Sequence, residues 1–185
     1  MALINLLDLF KKKTNSDLQK SSLESVDWMK KKVSSFNRQP AGKFKIGGLF
    51  FFYYNPKGKA TLPYYDQFPL VIPLEKYTDG FLGLNLHYLP LQMRVAFLDK
   101  LMKYAIQGDA GEIMSVRVSY DILNASRGLK EFKPCLKRYL TSQVQSKLLA
   151  VEPDEWEAAI SLPVQKFTGA SSAYVWQESM EQIQG

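Results

Sequence analysis

The segment "FFYYNPKGKATLPYYDQFPLVIPLEKYTDGFLGLNLHYLP", residues 51–90, decides the fold, because it combines many aromatic rings with regularly spaced prolines. Such rings could form a stacking platform for nucleic acid, an adhesive patch for a partner protein, or the core of a small barrel. Their neighbours are mostly Pro, Leu, Val and Ile, whereas a stacking platform needs nearby cations for the phosphates. We therefore expect the rings to form mainly a core and its partner-facing edge.

Short strands are predicted throughout this tract. "NPKGKA" is a turn sequence, and "DGFLGLNLHYL" follows an Asp-Gly turn with alternating apolar residues. "PLVIPL" is bounded by Pro69 and Pro73, which predicts a short or edge strand. With the β-forming stretch "KFKIGGLFFFYYN" before it, the segment predicts a small curved β-sheet or barrel over residues 43–90.

Helical signals flank the β tract on both sides. Residues 22–36 carry apolar residues at helical spacing behind a capping box, and Pro90 suits the first turn of another helix. "KPCLKRYLTSQVQSKLL", "VEPDEWEAAISL" and "GASSAYVWQESMEQIQ" each predict a helix, the last capped near Ser171 or Ser172. The chain is thus predicted to be α+β. An N-terminal helical arm and linker span residues 1–42, and a single domain follows at 43–185, β-rich to residue 90 and helical from residue 91.

Charge is unevenly distributed along a chain whose net charge is +6. Residues 1–59 carry 12 Lys/Arg against 4 Asp/Glu, whereas residues 148–185 carry 1 against 6. Such asymmetry suits an acidic partner such as DNA, or charge-complementary neighbours in an assembly. The residues predicted to contact DNA or an acidic partner are Lys30, Lys31, Lys32, Lys130, Lys133, Lys137, Arg138 and Lys147.

Catalytic and metal-binding constellations are not indicated. One histidine and one cysteine rule out zinc sites of the usual type, and the acidic residues are too scattered to favour a metal-dependent nuclease. A hydrolytic triad would require His87, which is expected on the polar face of a strand. Cys135 is either a thiol of lowered pKa near a basic helix start or, as we favour, a small buried apolar residue. We therefore predict a protein that is not an enzyme and needs no cofactor.

The N-terminus predicts a docking element. Leu3, Leu6, Leu7 and Phe10 share one helical face, but so short a helix is unstable alone. It would pack on its own domain, on a partner protein, or on a membrane surface. Together with the rings Tyr64, Tyr65 and Phe68, these four residues are the predicted docking set. No apolar run is long enough to cross a bilayer, and the single cysteine suits assembly in a reducing cytosol.

The phrases "LPYYDQFPLVIPLEKYTDGFLGLNLHYLP", "SYDILN", "FKPCLKRYLTSQVQSKLL" and "EPDEWEAAISLPVQKFTGASSAYVWQES" resemble a virion protein family of T4-like tailed phages. The resemblance covers about residues 43–180 and points to DNA end protectors, head-completion proteins or tail and baseplate components. It implies a non-enzymatic role and supplies no catalytic residues.

The sequence and this resemblance favour two functions. The first is a structural protein of the virion, assembled in the host cytoplasm, which docks in the tail, baseplate or neck through contacts with other virion proteins in several copies. The alternative is a DNA-binding genome-end protector or head-completion protein. A nuclease is a much weaker third reading.

Overall fold

The computed structural model describes residues 27, 31, 44–97, 130–152, 155–161 and 163–185. The strands are β1 Leu49–Phe51, β2 Tyr65–Asp66, β3 Leu70–Lys76, β4 Gly80–Asn85, β5 Leu136–Leu140, β6 Leu149–Val151 and β7 Phe167–Thr168. Helices cover residues 91–97, Trp156–Ser161 and Ser172–Gln184, and 3-10 helices cover Leu86–Tyr88, Lys130–Cys135 and Thr141–Gln143. Asp27 and Lys31 are helical, as predicted for residues 22–36. The rest of the predicted arm lies outside the described residues.

Five strands form one antiparallel sheet in the order β5-β4-β3-β1-β6, and β2 pairs with β7 in a second, two-stranded sheet. The α+β class is therefore confirmed. The larger sheet is open, with β5 and β6 at its two edges, so the barrel alternative is wrong for the part of the chain that the structure describes.

Rings and aliphatic side chains cover both faces of the larger sheet. Along β1, Leu49 and Phe51 join the main core cluster, while Phe50 joins a smaller aromatic cluster with Tyr139. Alternation of side chains across a strand places these two clusters on opposite faces. The aromatic tract is thus mainly core, as predicted, and its rings pack edge-to-face or offset, as in the 5.4 Å pair of Phe52 and Tyr139.

The segment "PLVIPL" is predicted as a short or edge strand, and the edge alternative is wrong, because β3 is the central strand of the sheet. Proline lacks a backbone N–H and is excluded from central strands unless the ladder is interrupted. The register of β3 against β4 shifts between Pro73 and Glu75, which is a bulge. On its other side, the Pro73 carbonyl accepts a hydrogen bond from Gly47 N at 3.0 Å. The bulge therefore accommodates a proline that a regular ladder would reject.

The division into a β-rich part to residue 90 and a helical part beyond it also needs correction. "KPCLKRYLTSQVQSKLL" forms no long helix: Pro134 lies in a 3-10 helix, which leads directly into β5, and β6 follows. β5 adds to β4 with Tyr139 opposite Phe81. The helical spacing of Lys130, Lys133 and Lys137 was overridden by a strand partner some fifty residues away, as tertiary context often overrides local pattern.

Close approach explains a glycine in β4. The Cβ of an alanine at position 80 would overlap the carbonyl oxygen of Tyr139 on β5. Gly80 therefore sets the spacing of β4 and β5 at the end of the ladder where it pairs with Leu140.

The C-terminal helix, Ser172–Gln184, begins as predicted. Ser171 is its N-cap, and the Ser171 hydroxyl accepts a hydrogen bond from Tyr174 N at 3.3 Å. The helix packs against the Leu86–Tyr88 and Lys130–Cys135 3-10 helices. Within the described ranges, no helix combines the length and apolar character that crossing a bilayer requires.

Candidate nucleic-acid interface

The described surface has a groove of about 510 Å³ beside strand β5, and we call it the tyrosine groove. Its walls come from four parts of the chain: the turn after β1, the segment that contains β2, the 3-10 helix after β4, and β5 itself. The lining residues are Tyr54, Pro56, Lys57, Leu62, Pro63, Tyr64, Tyr65, Asp66, Tyr88, Lys137, Arg138, Tyr139 and Leu140. The groove thus combines five tyrosines with three cations.

Four of these five tyrosines are fixed by contacts within the fold. Tyr54 meets Tyr139 edge-on at 4.9 Å between ring centroids, and the Tyr54 hydroxyl accepts a hydrogen bond from Leu140 N. Tyr64 contacts the Tyr88 ring at 6.1 Å. These rings form rigid walls, because each is held by a second ring.

Tyr64 is also held by its hydroxyl, which donates a 2.6 Å hydrogen bond to the Glu178 carboxylate on the C-terminal helix. Burial and this carboxylate raise the pKa of Tyr64, while the hydrogen bonds from Tyr64 and Tyr174 lower the pKa of Glu178. The contact joins one wall of the groove to the end of the chain.

Tyr65 is different. It lies half-buried in β2, opposite Thr168, and it makes none of the ring–ring contacts found among the described residues. It lines the groove and has no ring partner in the part of the chain that the structure describes.

The cations of the groove differ in how they are held. The Lys137 ammonium lies 4.0 Å from the centroid of the Tyr88 ring, a cation–π contact, and burial lowers the pKa of Lys137. Arg138 is paired with Asp79, lies over the Tyr77 ring at 4.2 Å and donates to the Tyr139 carbonyl. Lys57 lies exposed in the turn after β1. A phosphate would therefore find one exposed cation, Lys57, and one partly buried cation, Lys137.

Asp66, at the inner wall of the groove, organises a buried polar network. Its carboxylate accepts hydrogen bonds from Phe68 N at 3.1 Å and Asn85 Nδ2 at 3.0 Å, and it lies 2.7 Å from His87 Nδ1. The Asn85 side-chain oxygen in turn accepts from His87 N. Three donors thus surround the carboxylate, so its charge is compensated within the fold.

The network continues to the far side of His87. The His87 carbonyl accepts from Arg94 Nη2 at 3.0 Å and from Trp176 Nε1 at 2.9 Å, and Arg94 Nε donates to the Leu89 carbonyl at 2.7 Å. Burial lowers the pKa of Arg94 to about 9. Because this value is still above 7, the guanidinium is charged at neutral pH. These contacts tie the 3-10 helix after β4 to the C-terminal helix.

His87 is fully buried rather than on a polar strand face, so the expectation for its position was wrong. Burial lowers its pKa, with Asp66 opposing and Arg94 reinforcing the effect. Its Nε2 has no hydrogen-bond partner among the described residues, which also favours the neutral imidazole. A side chain so enclosed cannot contact a substrate.

A second groove is lined by the turn between β3 and β4 and by the segment that follows β5. It has a volume of about 440 Å³ and adjoins a shallow cleft that contains Asp79 and Arg138; we call the two together the Tyr77 groove. Its cations are Lys76, Arg138 and Lys147. Arg138, on the edge strand β5, borders both grooves.

The two grooves therefore bring together some of the cations that were predicted to contact DNA or an acidic partner. Lys137 and Arg138 border the tyrosine groove, Arg138 and Lys147 border the Tyr77 groove, and Lys130 and Lys133 are exposed but line neither. Lys31 is exposed on its helix. Lys30 and Lys32 lie outside the described residues, as do Leu3, Leu6, Leu7 and Phe10. Lys57 belongs to the groove but was not predicted; its place in a turn sequence beside the aromatic tract was the available signal.

Of the predicted docking rings, Tyr64 and Phe68 are half-buried by their own fold. Phe68 stacks on Tyr53 at 5.3 Å and on Phe51 at 6.1 Å. The large apolar side chains exposed among the described residues are instead Leu62, Tyr77 and Tyr174.

Cys135 is fully buried in the main core, and burial raises its thiol pKa to about 12. The favoured expectation of a buried apolar residue is confirmed, and the alternative of a lowered pKa is wrong, since Cys135 lies at the buried end of a 3-10 helix and burial raises the pKa of its thiol. Among the described residues, no three His, Cys, Asp or Glu side chains are grouped to hold a metal ion.

A family model described as "Phage T4 terminal DNA protecting protein" matches residues 1–183 of the chain. No curated protein and no solved structure matches the chain.

Proposed function

The chain belongs to the family of the phage T4 terminal DNA protecting protein, and we propose that it binds the ends of linear DNA and shields them from exonucleases by occupying them. The resemblance to a T4-like phage family is confirmed by this match. DNA end protection was the alternative function predicted from the sequence, and the match favours it over docking in the tail or baseplate.

The observation that supports DNA contact is that cations line two grooves, both of which Arg138 borders. Lys137, Arg138 and Lys147, which the sequence predicts to contact DNA or an acidic partner, line these two grooves. Lys57 and Lys76 add to the same region from neighbouring turns and strands. Such a cluster favours a polyanion, because each phosphate contact releases counterions from the DNA.

In this proposal the protein acts without catalysis. The bound protein covers the terminal phosphates, so a nuclease that must load at the end finds no free terminus. The one histidine contributes to the fold rather than to chemistry, because it is buried against Asp66. Incubation of the protein with end-labelled DNA and divalent cations should release no nucleotides.

The test is binding of full-length protein to an end-labelled linear duplex and to a closed circle of the same sequence, from 50 to 300 mM salt. We expect binding to the linear form, with an affinity that falls steeply as salt rises. Replacement of Lys57 and Lys147 by Glu should flatten the slope of log affinity against log salt by about 0.9 per lost phosphate contact. A processive exonuclease should then degrade the DNA that the wild-type protein preserves.

Lys166→Glu is the matched control, because it makes the same charge change at an exposed lysine in the acidic segment 148–185. It should leave the salt slope unchanged. Equal affinity for linear and circular DNA, or absence of binding to either at 50 mM salt, would overturn the proposal.

We also propose that the protein is carried in the virion and docks on other virion proteins. Leu62 and Tyr174 support a protein contact, since they are 41% and 52% exposed and tyrosine is enriched at interfaces. Co-sedimentation of the protein with DNA-filled phage heads, compared with isolated tails, tests where it is carried. Association with tails alone would favour the tail or baseplate reading instead.

A further inference from the structure

We propose that the tyrosine groove binds an unpaired nucleotide at the end of a DNA strand, with its base stacked on Tyr65 and its phosphate held by Lys57 and Lys137. This inference rests on the proposed function and specifies which form of DNA end the protein recognises.

The size of the groove selects a single nucleotide over a duplex. A volume of about 510 Å³ is typical of a pocket that encloses one small ligand, and it is far too small for stacked base pairs. A terminal nucleotide that is not base-paired can enter it, while the duplex behind it remains outside on the basic surface. The cost of entry is least for a nucleotide that has no partner to lose.

The walls supply what a base requires. Nucleobases bind to proteins by stacking on aromatic side chains, and Tyr65 is the groove tyrosine without a ring partner among the described residues. It is positioned by the pairing of β2 with β7, where Tyr65 lies opposite Thr168 and Asp66 opposite Phe167. A ring on a paired strand is preorganised, so stacking on it requires little reordering.

The charges of the groove fit a phosphate beside that base. Lys57 and Lys137 approach from the turn after β1 and from β5, on two different walls. The single acidic residue of the groove, Asp66, is only 4% exposed and is compensated by three donors, so it opposes an anion weakly. Lys137 is also partly desolvated over Tyr88, and a cation that has already lost water gains more from a phosphate.

The experiment compares four duplexes of one sequence, with blunt ends, a one-nucleotide 3′ overhang, a three-nucleotide 3′ overhang and a three-nucleotide 5′ overhang. The terminal unpaired base is 2-aminopurine, whose fluorescence is quenched when it stacks. We expect binding to at least one overhang to exceed binding to the blunt duplex about fivefold to a hundredfold, with quenching on binding.

Substitutions at Tyr65 test whether the overhang preference and the quenching arise from stacking on this ring. Tyr65→Leu keeps an apolar side chain but removes the stacking face, so it should abolish both the overhang preference and the quenching while blunt-end binding persists. Tyr65→Phe should retain both. Tyr77→Leu is the control, because Tyr77 is an exposed tyrosine ring in the other groove.

The outcomes separate this inference from the proposed function. Salt-dependent binding to DNA ends with no overhang preference and no quenching would overturn the groove proposal and leave end protection intact. Loss of the overhang preference in Tyr77→Leu rather than Tyr65→Leu would overturn the assignment to this groove. Absence of binding to any of the four duplexes would remove the proposed function itself.

Discussion

The buried histidine should make the stability of the fold depend on pH within a narrow window. His87 is the only histidine of the chain, it is fully buried, and burial lowers its pKa below the ordinary value of 6.5. The unfolded chain therefore binds a proton near pH 6.5 that the folded chain does not bind until the pH is lower. The free energy of unfolding must then decrease as the pH falls below about 6.5 and reach a plateau only below the folded pKa.

The size of the effect follows from linkage. While the unfolded histidine is protonated and the folded one is neutral, the stability changes by about 1.4 kcal/mol per pH unit. Two charged groups face the imidazole: Asp66, which opposes the shift, and Arg94, which reinforces it. Carboxylates titrate mainly below pH 5 and the α-amino group near pH 8, so the interval from pH 5.5 to 7 reports chiefly on His87.

The assay is urea unfolding of the full-length protein at half-unit steps from pH 5.5 to 7.5. His87→Asn is the control, because an asparagine amide can replace Nδ1 as the donor to Asp66 but does not titrate. The variant should be less stable at every pH, yet its stability should be nearly flat across the window. A wild-type stability that is flat, or that increases towards pH 5.5, would refute the neutral imidazole of His87 in the folded state.

Two further substitutions and one labelling experiment test other parts of the structure. Gly80→Ala should lower the free energy of unfolding by roughly 2 kcal/mol or more, because its Cβ overlaps the Tyr139 carbonyl oxygen; urea titration measures this, and an unchanged midpoint would contradict the spacing of β4 and β5. Arg94→Lys should cost about 2–4 kcal/mol in the same assay despite the retained charge, because an ammonium cannot bridge the His87 carbonyl and a second carbonyl in the arginine geometry; stability within 0.5 kcal/mol of wild type would argue against this role. Cys135 should resist thiol reagents in the folded protein and react only after unfolding, since its pKa is raised to about 12; full labelling within minutes under native conditions would contradict its burial.

The part of the fold that sequence could predict is the part built from neighbours in the chain. Turn residues and the alternation of apolar residues were enough to predict strands at β3 and β4. A capping residue was enough to predict the start of the C-terminal helix. Strand β5 was missed because "LKRYL" becomes a strand only by adding to β4, whose nearest residue, Asn85, is some fifty positions away. No local pattern carries that information.

The candidate site was predictable in the same uneven way. Charge counting found Lys137 and Arg138, because the excess of cations is visible in composition alone. The polar network behind the groove was missed, since Asp66, His87 and Arg94 have no telling spacing. A histidine within "LNLHYLP" and an arginine within "LQMRVAF" were the available signals, because a lone polar residue among apolar ones is often buried with its partners.

The position of β5 and β6 at opposite edges of the sheet has a consequence for synthesis. Strands β1, β3 and β4 leave the ribosome first, but both of their outer edges remain unpaired until residues 136–151 follow. At about 5–20 residues per second, the 66 residues between 85 and 151 take roughly 3 to 13 seconds to be made. During that interval each nascent chain exposes two apolar strand edges to its neighbours on the same polysome. A message truncated before codon 136 would leave them exposed permanently, and its product should accumulate as aggregate rather than as a shortened domain.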